Sequence, residues 1–273
     1  MNSGLFADCL CIAELAAKNA GALLAEGAFC RHEAENKSAT TDLVTRFDRA
    51  SEQRIVATLR QHFPNHRMLA EESGDLGGLG AKPRWLIDPL DGTTNFAHGL
   101  PLFSVSIACE WNGQVQVGVV FAPALGWMFS ALRGAGAFRD GSKLHVSTTQ
   151  TLAEALLATG FPYDRKTSAE NNFAQFVHLK RKAQAIRRFG SAALDLSLCA
   201  AGCVDGYWEM KLKPWDIAAG LLIAEEAGAV ATDFSGKPVS LSVGEVAVAN
   251  PALHPQLLGA LSSVAQNAAS LVG

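Results

Sequence analysis

Two aspartates three positions apart, Asp88 and Asp91, close the apolar run of "WLIDPLDGTTNF" at residues 85–96. Carboxylates held that near repel each other, because two like charges at short range raise the cost of ionising both. The pattern calls for a positive species between them. Further acidic residues stand where an ordered segment meets a turn or a helix: Glu71 and Glu72 in "AEESGD", Asp48 in "TRFD" and Asp216 in "KPWDIAAG". Hard divalent cations such as Mg²⁺ take oxygen ligands, keep several waters and bind through a few carboxylates together with substrate phosphate oxygens. The set invites a two-metal site.

Within "IDPLDGTT", Pro89 fixes a bend after Asp88, and Gly92 permits close backbone approach to a ligand. A short helix beginning near Thr93 would aim its free N–H groups at an anion. Taken alone, the segment reads equally well as a tight turn with satisfied aspartates. The neighbouring "AEES", and a carboxylate at a helix start in "PWD", tip the reading toward chemistry; Asp216 can cap its helix and still bind a metal. An aspartyl-phosphate mechanism of the haloacid dehalogenase type needs Asp-x-Asp-Gly-Thr near the chain start. Here the spacing is one residue longer and the motif lies deep in the chain, which argues against it.

These residues need a scaffold. Apolar positions at helical spacing predict a first helix over residues 4–26, and a second over about 41–62 capped by Thr41 or Asp42. After Pro64, strand-like runs follow one another without helices from "RMLA" to "GAFRD", which favours a mainly antiparallel sheet. Helical patterns return at about 168–183, 190–202, 215–227 and 254–264, interleaved with strands near "LLATG", "GYWEM", "GAVATD" and "VAVAN". The expected organisation is an α+β half over residues 1–145 carrying most metal ligands and an α/β half over 146–273, packed as one unit with a cleft between them. Trp85, Trp208 and Trp215 are expected along the cleft walls, and His98 is read as structural.

The chain has 273 residues, formal net charge −3 and a hydrophobic fraction of 49%, which suits a globular protein with a sizeable core. No stretch reads as a signal peptide or a membrane span, so a cytoplasmic location is the default. Six cysteines without paired Cys-x-x-Cys knuckles read as buried thiols. The charge balance argues against a broad nucleic-acid surface. The basic run "HLKRKAQAIRR", His178 to Arg188, reads as a solvated helix face, with a phosphate-binding rim as the alternative.

Five segments, "DLVTRFD", "LAEES", "WLIDPLDGTTNFAHGLPLFSVSIA", "RRFGSAALDLSLCAAGCVDGYWEM" and "KPWDIAAGLLIAEEAGA", resemble the inositol monophosphatase family over nearly the whole chain. The resemblance implies a layered αβαβα sandwich that commonly forms homodimers, and a Mg²⁺-dependent, lithium-sensitive phosphatase. It implies a first metal on Glu71, Asp88 and the Leu90 carbonyl, a second between Asp88, Asp91 and Asp216, and a weaker third using Glu71 and waters. Glu71 and Thr93 would orient and deprotonate water, with Asp48 hydrogen-bonded to Thr93. Thr94 and the backbone near Gly92 and Thr93 would hold the phosphate. Gly190, Ser191, Ala192 and Glu209 match substrate contacts, and Lys37 a mobile-loop lysine. A small phosphorylated polyol is the implied substrate, myo-inositol monophosphate above all. Histidinol phosphate, fructose 1,6-bisphosphate and a regulatory RNA- or protein-binding role stand as alternatives.

Overall fold

A computed structural model describes residues 3–37, 42–77 and 83–269. Helix α1 (Ser3–Gly27) buries a stripe of small residues, Cys9, Ala13, Ala16 and Ala20, which lets it lie close against its neighbours. Strands β1 (Glu35–Asn36) and β2 (Leu43–Val44) pair with each other before α2 (Arg46–His62) begins. The helix therefore starts later than its sequence pattern suggests. Leu43 and Val44 are drawn into the strand pair, and Thr45 rather than Asp42 is the cap; Thr41 lies outside the described residues.

The long strand-rich stretch forms one eight-stranded sheet. Its members are β3 (Arg67–Ala70), β4 (Gly74–Asp75), β5 (Arg84–Asp91), β6 (Ser104–Trp111), β7 (Gln114–Ala122), β8 (Trp127–Leu132), β9 (Gly136–Arg139) and β10 (Ser142–Lys143). The spatial order is β10-β9-β8-β7-β6-β5-β3-β4, antiparallel throughout except where β3 runs parallel to β5. Between β5 and β6 the chain makes the short helix α3 (Thr93–Ala97).

The second half supplies β11 (Leu156–Thr159), α4 (Phe173–Lys180), β12 (Ala185–Arg187), α5 (Ala192–Ala200), β13 (Gly206–Glu209), α6 (Pro214–Glu226), β14 (Val230–Thr232), β15 (Val246–Ala249) and α7 (His254–Ala269). A five-stranded sheet runs β12-β11-β13-β15-β14; β11 is parallel to β12 and β13, while β15 is antiparallel to β13 and β14. Helices α1 and α2 cover one face of the large sheet. Helices α5 and α6 fill the space between the sheets, and α4 and α7 cover the far face of the small one. The result is the layered αβαβα sandwich. Helix α6 buries every residue from Ile217 to Ala224, as a helix covered on all sides must.

Two sequence expectations need correction. Cys9, Cys109 and Cys199 are buried, but Cys11, Cys30 and Cys203 are exposed. The basic run is not one helix face: α4 ends at Lys180, and the chain turns to finish as the edge strand β12. Helix α4 also begins late, because Asn172 before it adopts φ 68° and gives its side chain to buried hydrogen bonds with Thr159, Gly160 and Trp208.

Candidate active site

Asp88 and Asp91 share a face because the strand that carries them holds one extra residue. Asp88 pairs with Ser106 and Asp91 with Ser104, so three steps along β5 answer two along β6. Regular alternation would turn the two aspartates to opposite faces, and the bulge brings them back to the same one. Pro89 sits inside the irregularity, where its missing N–H breaks no ladder bond. The bulge is pinned on both sides: Ser51 Oγ donates to the Pro89 carbonyl at 2.7 Å, and the Leu90 amide donates to Asp88 Oδ1 at 2.9 Å. Gly92 then turns the chain with φ 95°; a Cβ there would stand 3.0 Å from the Leu102 carbonyl oxygen. Only glycine meets both demands at that point.

Glu71 stands just beyond β3, where its amide donates to the Ile87 carbonyl at 3.1 Å and holds it beside Asp88. Glu52 on α2 fixes the next two residues, accepting from the Glu72 amide at 2.8 Å and from the Ser73 hydroxyl. Asp48, also on α2, is fully buried. Its Oδ2 accepts from the Thr45 amide and hydroxyl, both at 2.7 Å, while Oδ1 lies 2.9 Å from the Thr93 hydroxyl. The Thr93 hydroxyl is also 3.0 Å from the Leu90 carbonyl, and its one proton can go to only one of these acceptors.

Asp91 and Asp216 join the two halves. Asp91 Oδ2 accepts from Ser191 Oγ and from the Ala193 amide, both at 2.7 Å, so the start of α5 is built around it. Asp216 reaches the cavity from the first turn of α6, where its Oδ2 accepts from the Lys213 amide at 2.7 Å. Ser106 Oγ ties that turn to β6 by donating to the Trp215 carbonyl at 3.0 Å.

These pieces meet in a cavity of about 810 Å³. Lys37, Glu71, Asp88, Leu90, Asp91 and Asp216 are among the residues that line it, together with Gly92, Thr93, Gly190, Ser191, Ala192 and Glu209. Two expected residues do not line it: Asp48 acts from behind Thr93, and Thr94 is exposed on α3. The Ser191 hydroxyl is already engaged with Asp91, Ser104 and Leu194, which leaves its backbone for a ligand.

Burial and mutual repulsion raise the whole acidic set. Burial lifts Glu71 to about 7 against the opposing pull of Lys37. Asp88 is pushed well above the usual carboxylate range, by burial first and then by the charges of Glu71, Asp91 and Asp216. Asp216 is raised for the same reasons. Burial takes Asp91 to about 6 although Ser191 and the α5 amides pull it down. Such a cluster is stable only with positive charge or protons in it. Positive charge is present: the Lys37 ammonium lies 2.8 Å from Glu71 and pairs with Glu72 as well. No group of three candidate ligands among the described residues already stands at metal-binding spacing. The donor set is nevertheless all oxygen, buried or half-buried and mutually repelling, and the Lys37 ammonium lies against it. It fits a hard divalent ion.

A family model described as the inositol monophosphatase family matches residues 7–266. The chain belongs to the inositol monophosphatase family. An inositol-1-monophosphatase of Synechocystis is 42% identical over 232 residues, covering 85% of this chain and 81% of that protein. A protein of Pasteurella multocida named Nus factor SuhB is 44% identical over 248 residues, covering 90% and 93%. The solved inositol monophosphatase of Anabaena superposes with a TM-score of 0.86 at 43% identity, covering 94% of this chain and 96% of that one. Membership of the inositol monophosphatase family implies a phosphatase.

Several residues at the site escape a motif-based reading. Ser51 and Glu52 lie three and four positions after Asp48, on one face of α2, and that spacing of polar residues beside an apolar stripe is the signal that marks them. Arg188 lines the cavity and pulls on both Asp91 and Glu209, a placement hidden by its position at the end of a basic run. Of the tryptophans, only Trp215 lines the cavity. Trp85 is buried beside His66 under the large sheet, and Trp208 turns to Asn172 in the outer core. His98 is exposed at the end of α3.

Proposed function

We propose that the protein hydrolyses a small phosphate monoester by in-line attack of water, and that its substrate is a phosphorylated polyol, myo-inositol monophosphate foremost. The observation that carries this reading is the convergence of Glu71, Asp88, Asp91 and Asp216 on one cavity beside Thr93, whose hydroxyl meets the buried Asp48. Phosphoryl transfer needs positioning and charge neutralisation more than a protein nucleophile. Mg²⁺ in two or three places, on Glu71, Asp88 and the Leu90 carbonyl and on Asp88, Asp91 and Asp216, would supply that positive charge.

The chain's own residues do the rest. Asp48 accepts the hydrogen bond of the Thr93 hydroxyl, which turns the lone pairs of the Thr93 oxygen toward the attacking water. Glu71 is placed to accept that water's other proton. The backbone at Gly92 and Thr93 holds the phosphate, with Thr94 next to it on α3. Glu209 and the backbone of Gly190, Ser191 and Ala192 receive the alcohol part, and Lys37 closes the metal side.

Homodimer formation, residence in the cytoplasm and inhibition by Li⁺ at the Asp88/Asp91/Asp216 position belong to the same proposal by family likeness. Among the described residues no helix is long and apolar enough to cross a membrane. Phosphate release from inositol 1-phosphate, histidinol phosphate and fructose 1,6-bisphosphate, with and without Mg²⁺, tests the reading. A Mg²⁺-dependent preference for inositol 1-phosphate supports it, whereas preference for another ester moves the substrate and no release from any defeats it. The relatives named Nus factor SuhB favour a second reading, a regulatory RNA- or protein-binding role. Salt-sensitive capture of RNA or protein by the purified chain would support that role.

A further inference from the structure

Glu209 is held in a way that its motif does not explain. It ends β13, and its neighbour Trp208 pairs with Thr159 at the end of the parallel strand β11. That register sets Gly160, the residue after β11, against the Glu209 side chain. A Cβ built on Gly160 would fall 2.1 Å from both carboxylate oxygens. Gly160 does not have a positive φ, so its backbone suits any residue. It is glycine because the carboxylate occupies the space a side chain would need.

The same carboxylate is gripped from the other side. The Tyr207 hydroxyl, fully buried, donates to Glu209 Oε2 at 2.5 Å. Oε1 takes no hydrogen bond among the described residues, and Glu209 lines the cavity. The wall behind it is itself locked. Thr159 Oγ1 donates to the Trp208 carbonyl at 2.6 Å, Asn172 Nδ2 donates to the Gly160 carbonyl at 2.6 Å, and Trp208 Nε1 donates to Asn172 Oδ1 at 2.8 Å. A long, flexible side chain is thereby held in one orientation at the alcohol end of the cavity.

We infer that Tyr207 and Gly160 are positioning residues that aim Glu209 at a hydroxyl of the substrate's alcohol, so that the site selects polyol esters over esters lacking a donor there. The inference rests on the phosphatase reading. A fixed acceptor that must be satisfied on binding discriminates strongly against a substrate without the matching donor, because Oε1 is then left unpaired. Freed from Tyr207, or displaced by a methyl group at position 160, Glu209 loses that geometry.

The test compares inositol 1-phosphate with p-nitrophenyl phosphate, whose alcohol carries no further hydroxyl, in wild type, Tyr207→Phe and Gly160→Ala. The readout is the ratio of the two kcat/KM values. It is expected to fall about tenfold or more in each variant, mainly through KM for inositol 1-phosphate. A ratio within about twofold of wild type in a folded variant, with both esters slowed alike, overturns the inference while leaving the phosphatase reading intact. Should Tyr207→Phe fail to fold, Gly160→Ala decides, and Glu209→Gln gives the size of the full effect. Wild type that releases phosphate from neither ester removes the underlying reading and the inference with it.

Discussion

Asp48 serves two structures with one side chain. Oδ2 completes the cap of α2 through Thr45, and Oδ1 sets the direction of the Thr93 hydroxyl. Burial raises Asp48 while its hydrogen bonds from Thr45 and Thr93 oppose the rise; Asp195 in α5 has no such bonds. It is buried, and its Oδ1 has no hydrogen-bond partner among the described residues. Burial first, then the charges of Glu209 and Asp91, push it well above the usual carboxylate range, with Arg188 pulling the other way. The folded chain thus keeps a proton that the unfolded chain gives up above about pH 4. Native stability from this group is full below that pH and is lost as the pH rises through the higher folded-state value. Asp195→Asn removes the dependence. Urea unfolding should find the variant more stable by about 1–2 kcal/mol at neutral pH, with the gap closing toward pH 4; a gap independent of pH would contradict the assignment. Asp88, Asp91, Asp216 and Glu71 were legible from residue type and spacing. Asp195, Gly160 and Tyr207 were not, because nothing in a local pattern says which side chain a register will set opposite them.

At the scale of elements, helix α2 is the device that gathers the acidic segments. Asp48, Ser51 and Glu52 present one polar face that touches Thr93, the Pro89 carbonyl and the loop after Glu71. Glu52→Gln turns one acceptor into a donor and loosens the Glu71 segment. By analogy with the groups that orient metal ligands, Mg²⁺ affinity should fall about 10–100-fold, and calorimetric titration with Mg²⁺ reads it directly. Unchanged affinity would mean that the strand β3 alone holds Glu71. Thr45→Ala should cost about 1 kcal/mol of stability as a lost cap and lower turnover through Asp48, which chemical unfolding and kinetics read separately. The strands and helices themselves were legible from periodicity, but their ends shifted. Helix α2 began late because Leu43 and Val44 pair with Asn36 and Glu35, fewer than ten residues earlier, and the bulge in β5 has no signal beyond the Pro89 inside it.

For the whole molecule, the cleft exists because α5 and α6 lie between two sheets and bring Asp216 and the Asp91-bound start of α5 to the same place. The order of strand-rich and alternating stretches made the layered architecture readable, although the order of strands within each sheet was beyond a linear reading. Gathering carboxylates at close range there leaves the ion-free protein less stable than it would be with a cation bound. Mg²⁺ should raise the thermal midpoint, with about 2.7 kcal/mol of added stability at a hundredfold excess over its dissociation constant. Scanning calorimetry over a range of Mg²⁺ concentrations checks this, and a midpoint indifferent to Mg²⁺ would count against a metal-binding cluster. Metal-dependent hydrolysis at this site is read directly by phosphate release from inositol 1-phosphate as Mg²⁺ is added, in wild type and in Asp88→Asn. The expected result is turnover that requires Mg²⁺ in wild type and falls at least about 10²–10³-fold in the variant. Turnover without Mg²⁺, or retained by Asp88→Asn, would contradict the account.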